Sequence, residues 1–250
     1  MNESSAGLSQ TIKPNKGKFL ETKIGGDTYL RLPIRTPLIT EKDNISDLVK
    51  KYVVPLLAPE DIIFISEKIV CVVQGRIINI NDVRPSKLAR FLSRKVKNNY
   101  GTKDFRGFGH GTPMAMQLFI EEAGYPRILL AAAVSAITRP FGIKGAFYLI
   151  SGKMAKSVDC PMSFSIIEYA HYAKRAPHDP NGVARMIKEK FGHETVLLDA
   201  NYLGAFSLGK STRKISEKFI YTAFKDNPLG QSDEMTPFCI LRKVNSCDKF

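Results

Sequence analysis

Residues Asp61–Arg76 read DIIFISEKIVCVVQGR. An apolar run of strand length opens at the acidic Asp61 and reaches Ser66-Glu67-Lys68. A second apolar run follows and stops at Gln74-Gly75-Arg76. A segment made almost wholly of Ile, Val and Phe reads as a strand pair buried on both faces. Charges inside such a segment are costly unless something pairs with them. Ser66, Glu67, Lys68, Gln74 and Arg76 are therefore placed to meet a ligand, an anionic one first of all. The plainer alternative is two strands joined by a turn, with the charges on the surface.

Working outward, Met1 to about Gly26 is polar and reads as a flexible tail, residues 1–26. Residues 27–250 then form the folded part, open to a subdivision near 150–160. Thr28–Ile34 (TYLRLPI) alternates and suggests an edge strand interrupted by Pro33. Arg35–Thr40 follows as a loop. Asn44–Leu57 has helical period, with Asn44 or Ser46 as its cap. Downstream, helices are expected over Pro85–Asn98, Met114–Ala123, Arg127–Ile137 (buried) and Asn181–Phe191, the last ended by Gly192. Ser211–Phe224 is partly helical. Strands are expected over Gly142–Ile150, Thr195–Leu198 and Thr236–Arg242. Phe105–Pro113 is a glycine-dense loop, and Asp159–Pro180 is loop-rich. Helices and strands mix without βαβ alternation, so the fold class is α+β rather than doubly wound.

At 250 residues and 44% apolar, the chain can bury a substantial core. Its longest small-apolar run, Ile128–Ile137, is too short to span a bilayer. The N-terminus lacks the apolar stretch of a secretory signal. Four cysteines without a CxxC pair fit reduced thiols in a cytoplasm and argue against structural zinc. The net charge of +13 attracts polyanions such as nucleic acid or phosphorylated cofactors. The basic residues are spread out, however, and not interleaved with aromatics, so nucleic acid is disfavoured as a partner.

Several motifs carry candidate chemistry. Asp199-Ala200-Asn201 follows an apolar strand, a common position for a metal ligand or catalytic acid and also for a simple turn. Asp159 sits in a similar setting. The stretch Asn227–Glu234 (NPLGQSDE) offers amides, backbone N–H groups and two carboxylates, a composition able to wrap a phosphate and its Mg²⁺. His110, between Gly109 and Gly111, is the best histidine candidate. No GxSxG elbow, Walker A or Rossmann GxGxxG occurs, so any nucleotide binds outside a P-loop.

Arg35-Thr36-Pro37-Leu38-Ile39, the strand carrying Ser66-Glu67-Lys68, and Gln74-Gly75-Arg76 together resemble the N-terminal part of the coenzyme F420-0:L-glutamate ligases. That family has a PLI loop, an acidic residue opening a strand, and an SKIVSKAEGR-like segment. The resemblance continues through Asp159, Asp199 and the Asn227–Pro237 loop. It implies an α+β, non-P-loop fold with mixed, mainly antiparallel sheets and packed helices, assembled as a homodimer. It implies GTP-dependent amide ligation of L-glutamate to a carboxylate-bearing cofactor, with Mg²⁺ or Mn²⁺. By matching positions it places Thr36, Pro37, Leu38, Ile39, Glu67, Lys68, Gly230, Gln231 and Ser232 on the nucleotide. Metal would be held by Asp159, Asp199, Asn201, Gln231 and Glu234.

The chain departs from the pattern in places. The family's AGIDxSN run appears as Lys156–Met162 without its serine and asparagine. The lysine of SKAEGR is Val72 here, its glutamate is Gln74, and Ala200-Asn201 replaces a serine-threonine pair. The acceptor is therefore left open between F420-0 and a folate. A basic nucleotide- or RNA-binding protein without activity is the rival class. In the ligase reading, Lys68, Arg76 and Asp199 are catalytic, and Arg35, His110 and Lys144 hold substrate.

Overall fold

The protein is described by a computed structural model over residues 12–96, 109–163, 165–201 and 204–244. Its strands are β1 (Glu21–Ile24), β2 (Asp27–Ile34), β3 (Ile62–Ser66), β4 (Ile77–Asn79), β5 (Tyr172–Lys174), β6 (Thr195–Asn201), β7 (Gly204–Lys210) and β8 (Phe238–Lys243). Its helices are α1 (Ile45–Leu48), α2 (Glu67–Val73), α3 (Lys87–Ser93), α4 (Pro113–Ala123), α5 (Tyr125–Thr138), α6 (Ala146–Ser151), α7 (Lys153–Lys156), α8 (Pro180–Phe191) and α9 (Glu217–Phe224). Six strands form one sheet in the order β1-β2-β8-β3-β6-β7, and β4 pairs with β5 separately. Among the described residues only β3 and β6 run parallel; the other strand pairings are antiparallel. The class is α+β with mixed, mainly antiparallel sheets, as expected.

The pleat of β3 explains its composition. Ile63 and Ile65 point to one face, packing with α1 and with Ala184 and Ile187 of α8. Phe64 points to the other, against Ile220, Ala223 and Phe224 of α9. Strand residues alternate faces, so a strand covered by helices on both sides must be apolar throughout. The same alternation recurs in Phe238 and Ile240 against Cys239 and Leu241 of β8. Asn44 caps α1, its side-chain oxygen accepting from the Ser46 N–H at 2.8 Å.

The second apolar run of the opening segment is a helix, not a strand. Glu67 starts α2, and the buried Glu67, Val70 and Cys71 share one helical face. The helix ends in a Schellman motif: the Gly75 N–H donates to Val72 O at 2.9 Å and the Arg76 N–H to Cys71 O at 2.8 Å. Gly75 supplies the left-handed φ of 61° that this ending requires. Thus Gln74-Gly75-Arg76 is a helix cap rather than the end of a strand.

Other expectations are corrected too. Gly142–Ile150 holds the helix α6, between Gly145 and Gly152, where a strand was expected. α5 covers Arg127–Ile137, but of its side chains only Ile128 and Ala131 are buried. β2 is not an edge: it pairs with β1 and β8, and Pro33 lies beyond the stretch that β1 pairs. The tail reading fails from residue 12 onward. Glu21–Ile24 is a sheet strand, and the buried Asn15 donates to Pro228 O at 2.9 Å and Thr236 Oγ1 at 2.8 Å. Residues 1–11, 97–98 and 105–108 of the expected tail, helix and loop lie outside the described residues.

Among the described residues, the segment between α2 and α8 adds no strand to the large sheet. Its helices share a separate core of Ala89, Leu92, Met116, Phe119, Ile120, Ile128 and Ala155. Val158 and Cys160 join Ala115 and Leu118 in another. Residues on both sides of 150–160 therefore pack together.

Candidate active site

β3 and β6 are parallel, so their C-terminal ends lie at one end of the sheet, the usual ligand side of such strands. The register pairs Ser66 with Leu198, which sets Glu67 and Asp199 at neighbouring strand ends. Two loops close on the same end. The Ser66 N–H donates to Pro237 O at 2.8 Å, and the Thr36 N–H donates to Met235 O at 2.9 Å. Thr36 and Ile39 are buried there, Leu38 is half-buried, and Arg35 and Pro37 are exposed. The Ile39 carbonyl accepts from the Tyr169 hydroxyl.

A third element brings Asp159. Its N–H and C=O exchange hydrogen bonds with those of Lys174, at 3.1 and 2.8 Å. The Asp159 side chain is 45% exposed, with Oδ2 3.7 Å from Lys174 Nζ and 3.9 Å from Lys68 Nζ. Lys68, itself 40% exposed, also donates to Met162 O at 3.0 Å. Asp159 and Asp199 act on one another electrostatically within this cluster. Burial pushes the Asp199 carboxyl up to about 7; Glu67 and Asp159 add to the rise, while Lys174 and Lys68 oppose it. Asn201 follows at the end of β6.

Lys174 went unnoticed in the sequence. It has no exposed surface, and its Nζ lies 2.8 Å from Glu67 Oε1 and 2.9 Å from Oε2. Burial works against the ammonium, but Glu67 and Asp159 more than offset it, and the pKa lies above the ordinary lysine value. The Cys71 thiol lies 3.4 Å from Glu67 Oε2 and 3.2 Å from the Arg175 carbonyl. The charge of Glu67, inside an apolar run, did signal a buried partner. Nothing local says which of 37 basic residues that partner is. Glu67 is thus an ion-pair partner first, its carboxylate engaged by Lys174.

His110 stands beside the cluster, with its ring packed inward rather than laid open by the flanking glycines. Its ring packs edge-on to Phe119, with centroids 4.4 Å apart, and near Tyr148. Its Nε2 is buried without a hydrogen-bond partner. Burial lowers the pKa to about 4, against the raising influence of Asp159.

Other candidates are not gathered in. The Arg76 guanidinium donates to Ala176 O at 2.9 Å and to Glu122 Oε1 at 2.6 Å, tying the end of α2 to α4. A structural tie of this kind removes the reason to place it on a phosphate. Lys144 is exposed on the turn between α5 and α6. Gly230, Gln231, Ser232 and Glu234 line a cavity of about 390 Å³ with Lys18 and Lys225. The Glu234 carboxylate is held inside its own loop, accepting from the Ser232 N–H at 2.6 Å. Among the described residues no three His, Cys, Asp or Glu side chains stand close enough to hold a metal ion by themselves. No helix among them is long and apolar enough to cross a membrane.

No curated protein matches the chain. The family model described as F420-0:Gamma-glutamyl ligase matches residues 33–198. The match takes in the Thr36–Ile39 loop, β3, α2, Asp159 and Lys174, and stops one residue short of Asp199. Since it covers well over half of the sequence, the chain belongs to the F420-0:gamma-glutamyl ligase family.

Proposed function

We propose that this chain adds L-glutamate to a carboxylate-bearing acceptor, with GTP as the activating co-substrate and F420-0, the family's substrate, as the first acceptor to test. The observation that carries the reading is the convergence of Asp159, Asp199 and Lys68 at the sheet end, beside the Thr36–Ile39 loop and the Met235–Pro237 backbone.

The acceptor carboxylate oxygen attacks the γ-phosphorus, the bond to the β-phosphate oxygen breaks, and GDP leaves. The glutamate amine then attacks the acyl phosphate carbon, losing a proton as inorganic phosphate departs. Charge on the transferring phosphoryl group needs fixed positive partners. Lys68 is suited to this: it is partly exposed, and Met162 and Asp159 aim its ammonium. Buried Thr36 and the neighbouring backbone form a rigid wall for the nucleotide.

Hard carboxylate oxygens at Asp159 and Asp199 suit Mg²⁺ or Mn²⁺, which take one or two protein carboxylates and complete their shell with phosphate and water. When bound, the ion supplies charge neutralisation on the phosphoryl oxygens. Asn201 stands next to Asp199 on the same strand end, and Gln231 and Glu234 lie on the loop leading to Met235. Arg35, exposed beside Thr36, is available to an acceptor carboxylate.

The +13 charge favours encounter with such anionic ligands. The buried, free thiols of Cys71, Cys160 and Cys239 support a cytoplasmic setting. A homodimer is supported by the apolar outer face of α5. The deciding test is mass spectrometry of F420-0, and in parallel a folate, incubated with the chain, glutamate, Mg²⁺ and GTP or ATP. Mass increments of whole glutamyl units with GTP are expected. No increment with any acceptor and nucleotide would defeat the reading.

A further inference from the structure

A lysine ammonium with no exposed surface needs a shell of oxygens, since a buried unpaired charge is strongly unfavourable. Lys174 has one. Both Glu67 carboxylate oxygens are within 2.9 Å of Nζ, the Ser157 carbonyl accepts from it, and Asp159 Oδ2 stands 3.7 Å away. The backbone bridge between Lys174 and Asp159 fixes the stem that carries the charge. Two carboxylates and a carbonyl around one positive centre are also what a free hard cation takes as ligands.

We propose that Lys174 is a positioning residue whose ammonium is a tethered cation. It stands where a free monovalent cation would otherwise have to bind. From there it holds the Asp159 carboxylate toward Asp199, so that this pair can receive a divalent ion. The second half rests on the metal role proposed for Asp159 and Asp199; the first half does not.

The test uses Lys174→Ala, which empties the centre and leaves the oxygen shell. The melting temperature and the Mn²⁺ affinity, read by paramagnetic resonance, are measured in ammonium, potassium or tetramethylammonium chloride at equal ionic strength. In tetramethylammonium the variant is expected to bind Mn²⁺ at least about tenfold more weakly than the parent. Ammonium or potassium is expected to restore most of that affinity and raise the melting temperature by about 2–5 °C. The parent should ignore the exchange of salts. Equal responses of parent and variant, or full Mn²⁺ affinity in the variant without a small cation, would overturn the proposal.

Should Lys174→Ala not fold, the Glu67→Met/Lys174→Met double variant removes the charge together with its partner, an exchange that folded proteins often tolerate. It is expected to keep its melting temperature and lose Mn²⁺ affinity about tenfold; unchanged affinity counts against the proposal. A parent that binds no Mn²⁺ defeats the metal assignment and the positioning role with it. The tethered-cation role is then decided by the melting data alone.

Discussion

Asp199 and His110 titrate in overlapping pH ranges with opposite effects on stability. Burial raises the Asp199 carboxyl from 3.8 to about 7, so between those values the fold keeps a proton that the unfolded chain has released. Stability from this group falls as pH rises through that window. Burial lowers the His110 imidazole from 6.5 to about 4, so below 6.5 the unfolded chain takes up a proton that the fold refuses. Stability from this group falls as pH drops through its window. The charges facing the pair are Glu67 of α2, Lys174 of β5, Asp159 and Lys68. In the parent the two slopes offset one another. Asp199→Asn should leave the histidine slope alone, giving a protein that loses stability as pH drops from about 6.5 toward 4. His110→Phe, which fits beside Phe119 and Tyr148 and removes the unpaired Nε2, should leave the reverse slope. Melting temperatures of the three proteins between pH 4 and 8 would decide it; superimposable profiles would mean that neither group is shifted.

At the scale of elements, the middle of the large sheet was legible because β3, β6 and β8 obey one strong rule, apolar residues on both faces, whereas its outer strands β1 (ETKI) and β7 (GAFSLGK) lack that pattern and were not expected. The α2 segment was misread because Ile69–Val73 is rich in β-branched residues, and a run of seven residues can satisfy either period. The better signal was its ending, since glycine after an apolar run is a helix stop. α6 failed for the same reason of length. Asp199 was legible as an acid late in a strand; Asp159 was singled out too, although it follows the helix α7 rather than a strand. Lys174 was not legible, because its role arises only from the pairing of β5 with the Asp159 segment. Two glycines separate these kinds of constraint. Gly75→Ala meets open space but must hold φ at 61°, and should cost about 1–2 kcal/mol. Gly209→Ala would set a methyl 2.2 Å from the Pro180 carbonyl carbon and 2.7 Å from the Asn181 nitrogen, pushing α8 off β7. It should cost about 3 kcal/mol or more, since backbone cannot give way as a side chain does. Urea unfolding midpoints should fall in that order; a milder Gly209→Ala would mean that α8 does not seat on β7 as described.

At the scale of the molecule, a chain of net charge +13 repels its own copies everywhere except where it is neutral. The outer face of α5 is such a place. Tyr125, Leu129, Leu130, Ala133, Ala136 and Ile137 are exposed on one side of the helix, with no charge among them. Phe141, Ile143 and Leu149 extend the surface, Phe141 being 78% and Leu149 80% exposed. Monomers rarely leave so continuous an apolar area open to water, and homodimer interfaces are made of such surface. The homodimer proposed above would seat a second copy here, because a two-fold axis through α5 would set like against like where no charges meet. Arg127, Arg139 and Lys144 are exposed around the patch, so two copies bring equal positive rims together. Salt should therefore tighten the dimer by screening that repulsion while leaving the apolar contact intact. Light scattering after gel filtration should give twice the 27.9 kDa chain mass for the parent, increasingly so from low to high salt. Leu130→Lys with Ile137→Lys should give a folded monomer at every salt concentration. A parent that stays at the single-chain mass at all concentrations and salts would rule out this face as the dimer contact.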